Sequence, residues 1–241
     1  MTVKRALVTG GSGAIGSAIC ERLAADGLAV VLHGYRHSES AEQLVQRIRG
    51  RGGIASWIGC DLTDSEATRR SMETLLIDGP VQVVVNNAGI HDDAPLAGMT
   101  PEQWAKVIDL SLNGFFNVTQ PLLLPMIGTR WGRIVSMSSV AGVIGNRGQT
   151  NYAAAKAGLH GASKSLAIEV AARGITVNVV APGLIESPAT RATFQPEQIE
   201  RLVPMKRAGT PDEVAALVSF LVSDQAGYVT GQIIGINGGM A

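Results

Sequence analysis

The chain has 241 residues, of which 46% are hydrophobic, enough to bury a full core as one domain. Twenty basic residues balance twenty acidic ones, which excludes a global field that would recruit nucleic acid or an anionic membrane. No apolar stretch approaches a membrane span, no signal peptide precedes Val3-Lys4-Arg5, and Cys20 and Cys60 lack metal-ligand spacing, so a soluble cytoplasmic protein without a metal site is expected.

Ala6-Leu7-Val8 reads as a first strand, followed by a helix with Ile15, Ile19 and Leu23 at fourfold spacing and ended by Gly27. Between them runs Thr9-Gly10-Gly11-Ser12-Gly13-Ala14-Ile15-Gly16. Glycines there let the backbone turn sharply and approach a pyrophosphate, while the helix N-terminus offers amides and a positive dipole. A glycine-rich turn alone is weak, but a strand before it and a helix after it are the required context for a dinucleotide. Ala29-Val30-Val31-Leu32 is the second strand, and its end chooses the cofactor. His33-Gly34-Tyr35-Arg36-His37-Ser38 holds no acid before Glu39 to bind ribose hydroxyls, and Arg36 is available to a phosphate, so NADP(H) is preferred over NAD.

A helix carrying Leu44, Val45 and Ile48 follows, and Val81 to Val85, Arg133 to Ser136 and Ile175 to Val180 read as further buried strands. Near-continuous apolar strands alternating with helices predict an α/β chain, a doubly wound, mostly parallel sheet with helices on both faces. The segment 184–207 breaks this rhythm, with Pro188, Pro196 and Pro204 and no clear strand, and is expected to cover a site beyond a strand's carboxyl end or to form an oligomer contact.

Tyr152 and Lys156 stand four residues apart in Asn151-Tyr152-Ala153-Ala154-Ala155-Lys156, on one face of a helix. A free tyrosine is a poor acid-base group at neutral pH. An ammonium about 4–5 Å away would favour the phenolate by roughly 3 kcal/mol, or about two pKa units. The same spacing also suits two residues on a solvated helix face.

Taken together these motifs resemble the short-chain dehydrogenase/reductase family over essentially the whole length. The glycine turn resembles its TGxxxGxG, with Ala14 at the middle glycine and Gly13 where many NADPH-dependent members carry a basic residue. Cys60-Asp61-Leu62 resembles the segment whose aspartate contacts adenine. Asn86-Asn87-Ala88-Gly89 resembles NNAG, Pro182-Gly183 the turn beside the nicotinamide, and Asn237-Gly238-Gly239 the family's ending. Ser139, thirteen residues before Tyr152, matches the family serine. The resemblance implies a single-domain Rossmann fold, and cofactor contacts at Gly10, Ser12, Gly13, Ala14, Ile15, Gly16, Arg36, Asp61, Leu62, Asn87, Ala88, Gly89, Pro182, Gly183 and Ile185, beside Tyr152 and Lys156.

Within the family, Gly145 to Gly158 and Arg173 to Asn178 are similar to β-ketoacyl-acyl-carrier-protein reductases. That similarity implies a 3-oxoacyl thioester on acyl carrier protein as substrate, a homotetramer, and carrier docking at Arg130 and Arg173, two cations beside a cleft. Both arginines equally suit solvated loop and helix-end positions. It also implies Ser139 on the carbonyl oxygen, Tyr152 as proton donor, and Lys156 lowering the phenol's pKa and holding the ribose. The departure is Ser111, which stands in Asp109-Leu110-Ser111-Leu112-Asn113-Gly114 where the family usually has the asparagine that orders a water. A serine hydroxyl still bonds a water, whereas Asn113 lies about 200° around a helix from that slot. Two alternatives stay open: the same chemistry on another alcohol, ketone or polyketide- or polyene-type carrier intermediate, and a non-catalytic NADP-binding sensor or scaffold.

Overall fold

Runs of β-branched residues buried on both faces make the strands of a parallel sheet in the computed structural model, which describes residues 3–35 and 38–241. Among the described residues the strands are β1 (Arg5–Val8), β2 (Ala29–Gly34), β3 (Ile54–Gly59), β4 (Val83–Asn86), β5 (Gly132–Met137), β6 (Ile175–Pro182) and β7 (Ile233–Ile236). Their order is β3-β2-β1-β4-β5-β6-β7, every neighbour parallel.

Alternation along each strand divides the core in two. Ala6, Val8, Val83, Val85 and Val135 face α1 (Ala14–Ala25), α2 (Ser38–Gly50) and α10 (Pro211–Val222). Leu7, Val84, Ile134 and Val177 face α3 (Ser65–Leu76), α5 (Gly114–Thr129) and α7 (Thr150–Val170). A smaller cluster joins Val107 of α4 (Pro101–Ile108) and Ala141 of α6 (Ala141–Ile144) to Tyr152 and Ala155 of α7. A doubly wound α/β sheet of the Rossmann type results. Strand order reverses between β1 and β4, which opens a crevice beyond their carboxyl ends.

Three features differ from the expectation. The strand expected from Val81 begins at Val83. The edge strands β3 and β7 have no counterpart among the strands read from apolar runs, because each is one-sided: Ile54 is exposed, and β7 is nowhere fully buried. The segment 184–207 holds two short helices, α8 (Pro188–Thr193) and α9 (Pro196–Leu202), each with its proline in the first turn, where the missing N–H costs nothing. A bridge between Ile185 and Gly209 closes the base of this segment. No helix of the described residues is long and apolar enough to cross a membrane. Cys20 and Cys60 are buried free thiols.

Candidate active site

The turn after β1 is built to receive an anion. Gly10 takes φ +61°, and a Cβ on Gly16 would lie 2.2 Å from the Gly10 carbonyl oxygen. Helix α1 therefore starts hard against the turn, and it has no side-chain cap. The amides of Ala14, Ile15 and Gly16 are the helix's first-turn donors, which a pyrophosphate can use. The Asn87 Nδ2 donates to the carbonyls of Thr9 (2.9 Å) and Gly10 (3.1 Å), while the Thr9 hydroxyl accepts from the amides of Asn87 and Ala88, both at 2.9 Å. The turn and the end of β4 are thereby fixed to each other across the crevice. Farther along, the Asp61 carboxylate accepts from the Thr63 amide (2.9 Å) and hydroxyl (2.7 Å), and the Leu62 carbonyl from Asn117 (2.8 Å). Ser12 sits beside Gly34 at the end of β2. Gly183 donates to the Ile236 carbonyl (3.0 Å) and Pro182 accepts from Val140 (2.7 Å), which binds β5, β6 and β7 at their carboxyl ends. These positions fit a dinucleotide lying across the switch point. Arg36, on which the choice of NADP(H) leaned, lies outside the described residues.

Ser139 follows β5 by two residues and its hydroxyl accepts from the Ala141 amide at 3.1 Å. Tyr152 and Lys156 share the first two turns of α7 and are both buried. Ser139 is close enough to act on the phenol, and the Lys156 ammonium lies 5.5 Å from the phenol's ring centroid, so the three residues share one place. Their electrostatics correct the expectation. Burial pushes the Tyr152 phenol up to about 12, the Ser139 hydrogen bond opposes this, and Asp93 adds to the rise. The Lys156 ammonium, 5.5 Å from the ring centroid and donating to the Met137 carbonyl at 2.8 Å, does not overcome the effect of burial. Burial also brings Lys156 down to about 8. The site therefore holds a neutral phenol above a lysine that releases its proton readily, an arrangement suited to giving a proton to an oxygen bound at Ser139.

Ser111 is buried within a π-helical turn, Asp109–Asn113, and its hydroxyl has no hydrogen-bond partner. A Cβ on Gly89 would lie 3.0 Å from the Lys156 ammonium nitrogen and 3.8 Å from this hydroxyl, so the absence of a side chain there lets lysine and serine converge. Asn113 points away and bonds Asp109. An orphaned hydroxyl beside an ammonium is where a water would be held.

Two neighbours escaped the sequence. The Ser138 hydroxyl joins the Lys156 carbonyl (3.0 Å) and His160 Nε2 (2.7 Å), which ties the end of β5 to α7. The His91 ring lies on the Tyr152 ring, with centroids 4.1 Å apart and a 30° tilt. His91 stands two residues beyond Gly89 and His160 one helical turn beyond Lys156, but the contact of His91 with Tyr152 is made only by the fold.

Arg130 and Arg173 are exposed, but they are not beside this cleft. Arg130 ends α5 just before β5, and Arg173 ends the turn just before β6. Both stand at the strands' amino ends, roughly 20 Å of strand away from Ser139.

Residues 10–241 match the family described as enoyl-(acyl carrier protein) reductase. The chain is 44% identical over 236 residues to a 3-oxoacyl-[acyl-carrier-protein] reductase of Aggregatibacter actinomycetemcomitans, covering 97% of this chain and 98% of the relative. It is 45% identical over 240 residues to the protein of that name in Escherichia coli K12, covering 98% and 97%. It is 41% identical over 250 residues to an acetoacetyl-CoA reductase of Cupriavidus necator, covering 100% and 99%. With the glycine turn, the braced Asn87 and the Ser139, Tyr152 and Lys156 cluster in one crevice, the chain belongs to the short-chain dehydrogenase/reductase family.

Proposed function

We propose that this protein reduces the ketone of a 3-oxoacyl thioester, carried on acyl carrier protein, to the 3-hydroxyacyl thioester. The observation that carries this is the neutral, buried Tyr152 phenol beside Ser139 at the carboxyl end of β5, with Lys156 buried one helical turn further on. The substrate named for the similar reductases supports the choice of thioester. NADPH, when bound, supplies the hydride. Ser139 holds the ketone oxygen and stabilises the negative charge that develops on it. Tyr152 gives that oxygen its proton. Lys156 binds the nicotinamide ribose and, with a water on the Ser111 hydroxyl, restores the phenol's proton.

Cytoplasmic placement and a homotetramer belong to the same proposal. Two free buried thiols suit a reducing compartment. Arg130 and Arg173 serve as carrier-docking cations only if a second copy of the chain brings them to a cleft. NADPH consumption is the test, with acetoacetyl groups on carrier protein, on coenzyme A, and with simple alcohols in reverse. The carrier thioester is expected to turn over fastest and NADPH to outperform NADH. Tyr152→Phe is expected to lower kcat by about 10³-fold or more while NADPH binding is kept; a variant that retains turnover overturns the assignment.

A further inference from the structure

His91 is the unassigned polar group closest to the chemistry. It lies in the loop beyond β4, two residues after Gly89, and one face of its ring covers the Tyr152 phenol ring. More than half of the side chain is nevertheless exposed.

The loop around it is fastened on both sides. The Gln149 amide nitrogen donates to Asp93 at 2.7 Å and contacts His91 Nδ1 at 3.3 Å. Asp92 is held by Lys106 (2.8 Å) and Gln103 (2.9 Å), Asn151 donates to the Asp92 carbonyl (2.9 Å), and the Ala94 amide donates to Gly148 (2.9 Å). A side-chain amide NH₂ has two hydrogens and no lone pair to offer. With one hydrogen on Asp93, the other meets Nδ1, which must accept. The imidazole is then the tautomer with its proton on Nε2. Packing against its neighbours lowers its pKa, Asp93 raises it and the nearby Lys156 lowers it; the net fall favours that neutral form. A single N–H donor is therefore presented beside the phenol, on a ring whose flip would break its contact with Gln149.

A 3-oxoacyl thioester differs from a simple ketone by a second oxygen, on the carbon two away from the reacting one. Resting on the reductase reading above, we propose that His91 reads this second oxygen: its Nε2–H donates to the thioester carbonyl while Ser139 and Tyr152 hold the ketone. The residue thus selects 1,3-dicarbonyl substrates over isolated ketones.

The test compares the N-acetylcysteamine thioester of acetoacetate with 2-octanone, in single turnover with enzyme and NADPH in excess so that the slower ketone is readable. The variants are His91→Phe, which keeps a flat ring against Tyr152 but has no N–H, and His91→Ala, which removes both. Loss of one hydrogen bond to a neutral oxygen is worth about 10- to 100-fold. His91→Phe is expected to narrow the thioester-to-ketone rate ratio by that amount, and His91→Ala to narrow it similarly while slowing both reactions. A ratio within twofold of wild type in His91→Phe overturns the proposal, whether both rates fall together or neither falls. Wild-type protein that binds NADPH yet reduces neither compound overturns this proposal, and if it also leaves acetoacetyl groups on carrier protein unreduced, the reductase reading falls with it.

Discussion

A charge buried for function should be visible as a cost to stability, and Lys156 makes that cost measurable. Its side chain is buried, its nitrogen donates to the Met137 carbonyl, and burial lowers its pKa from 10.5 to about 8. Below pH 8 both folded and unfolded chains carry the ammonium, and the folded chain bears the full desolvation penalty. Between pH 8 and 10.5 the folded chain releases the proton that the unfolded chain keeps, so this residue's contribution to stability rises with pH. The shift corresponds to about 3 kcal/mol at 1.36 kcal/mol per unit. Lys156→Met removes the charge and leaves the Met137 carbonyl without its donor, for a net gain near 2 kcal/mol at pH 7. The variant should be inactive yet melt several degrees above wild type at pH 7, with the gap closing by pH 10. Thermal melts at the two pH values decide it: a variant that melts below wild type at pH 7 rules out a penalised ammonium. The same physics separates what was legible here from what was not. Tyr152 and Lys156 could be found from spacing, and Ser139 from the family resemblance. The direction of the phenol's shift could not, because it is set by burial from distant segments rather than by the helical neighbour.

At the scale of elements, the glycine turn is a contest between helix propensity and close packing. Alanine in place of glycine within a helix ordinarily stabilises by about 1 kcal/mol. At Gly16 the added Cβ would stand 2.2 Å from the Gly10 carbonyl oxygen and 2.9 Å from Asn87 Nδ2, both parts of the brace that shapes the crevice. Backbone overlap outweighs propensity. Gly16→Ala is expected to lower the melting temperature and to weaken NADPH binding by about tenfold or more, read by fluorescence titration, since α1 must move away from the turn that its amides complete. Tighter binding with higher stability would refute the close approach. The turn was legible because its requirement is local. So were β1, β2, β5 and β6, whose burial on both faces writes a continuous apolar run. The edge strands β3 and β7 were hidden by one-sided burial and by Gly235. Helices α8 and α9 were hidden because prolines that begin a helix look, in sequence, like prolines that prevent one. His91 was hidden for a different reason: its partner is more than fifty residues away and no local pattern connects them.

At the scale of the molecule, α5 and α7 carry apolar side chains that the protomer leaves uncovered. Phe116 is 62%, Leu124 76% and Ile168 82% exposed. On α7, Leu159 is buried in the protomer and Leu166 packs against its core, whereas Ile168 is left uncovered for a partner. Covering an exposed isoleucine is worth about 2–3 kcal/mol, and a twofold contact counts it from both sides. Ile168→Glu replaces that gain with the burial of a charge, and is expected to weaken association by about a thousandfold or more in sedimentation, leaving the protomer folded because the residue touches no core. A kinetic consequence follows from where Arg130 and Arg173 sit. At the amino ends of β5 and β6 they cannot reach the cleft of their own protomer, so carrier docking through them depends on a second copy. The dissociated variant should then lose about tenfold or more in kcat/KM for an acetoacetyl group on carrier protein, chiefly through KM, while its rate on a small acetoacetyl thioester stays near that of wild type. Equal loss on both substrates would mean that dissociation damages the catalytic cluster itself. Equal retention would mean that the two arginines play no part in docking, and that the carrier is recognised by the protomer that reduces its cargo.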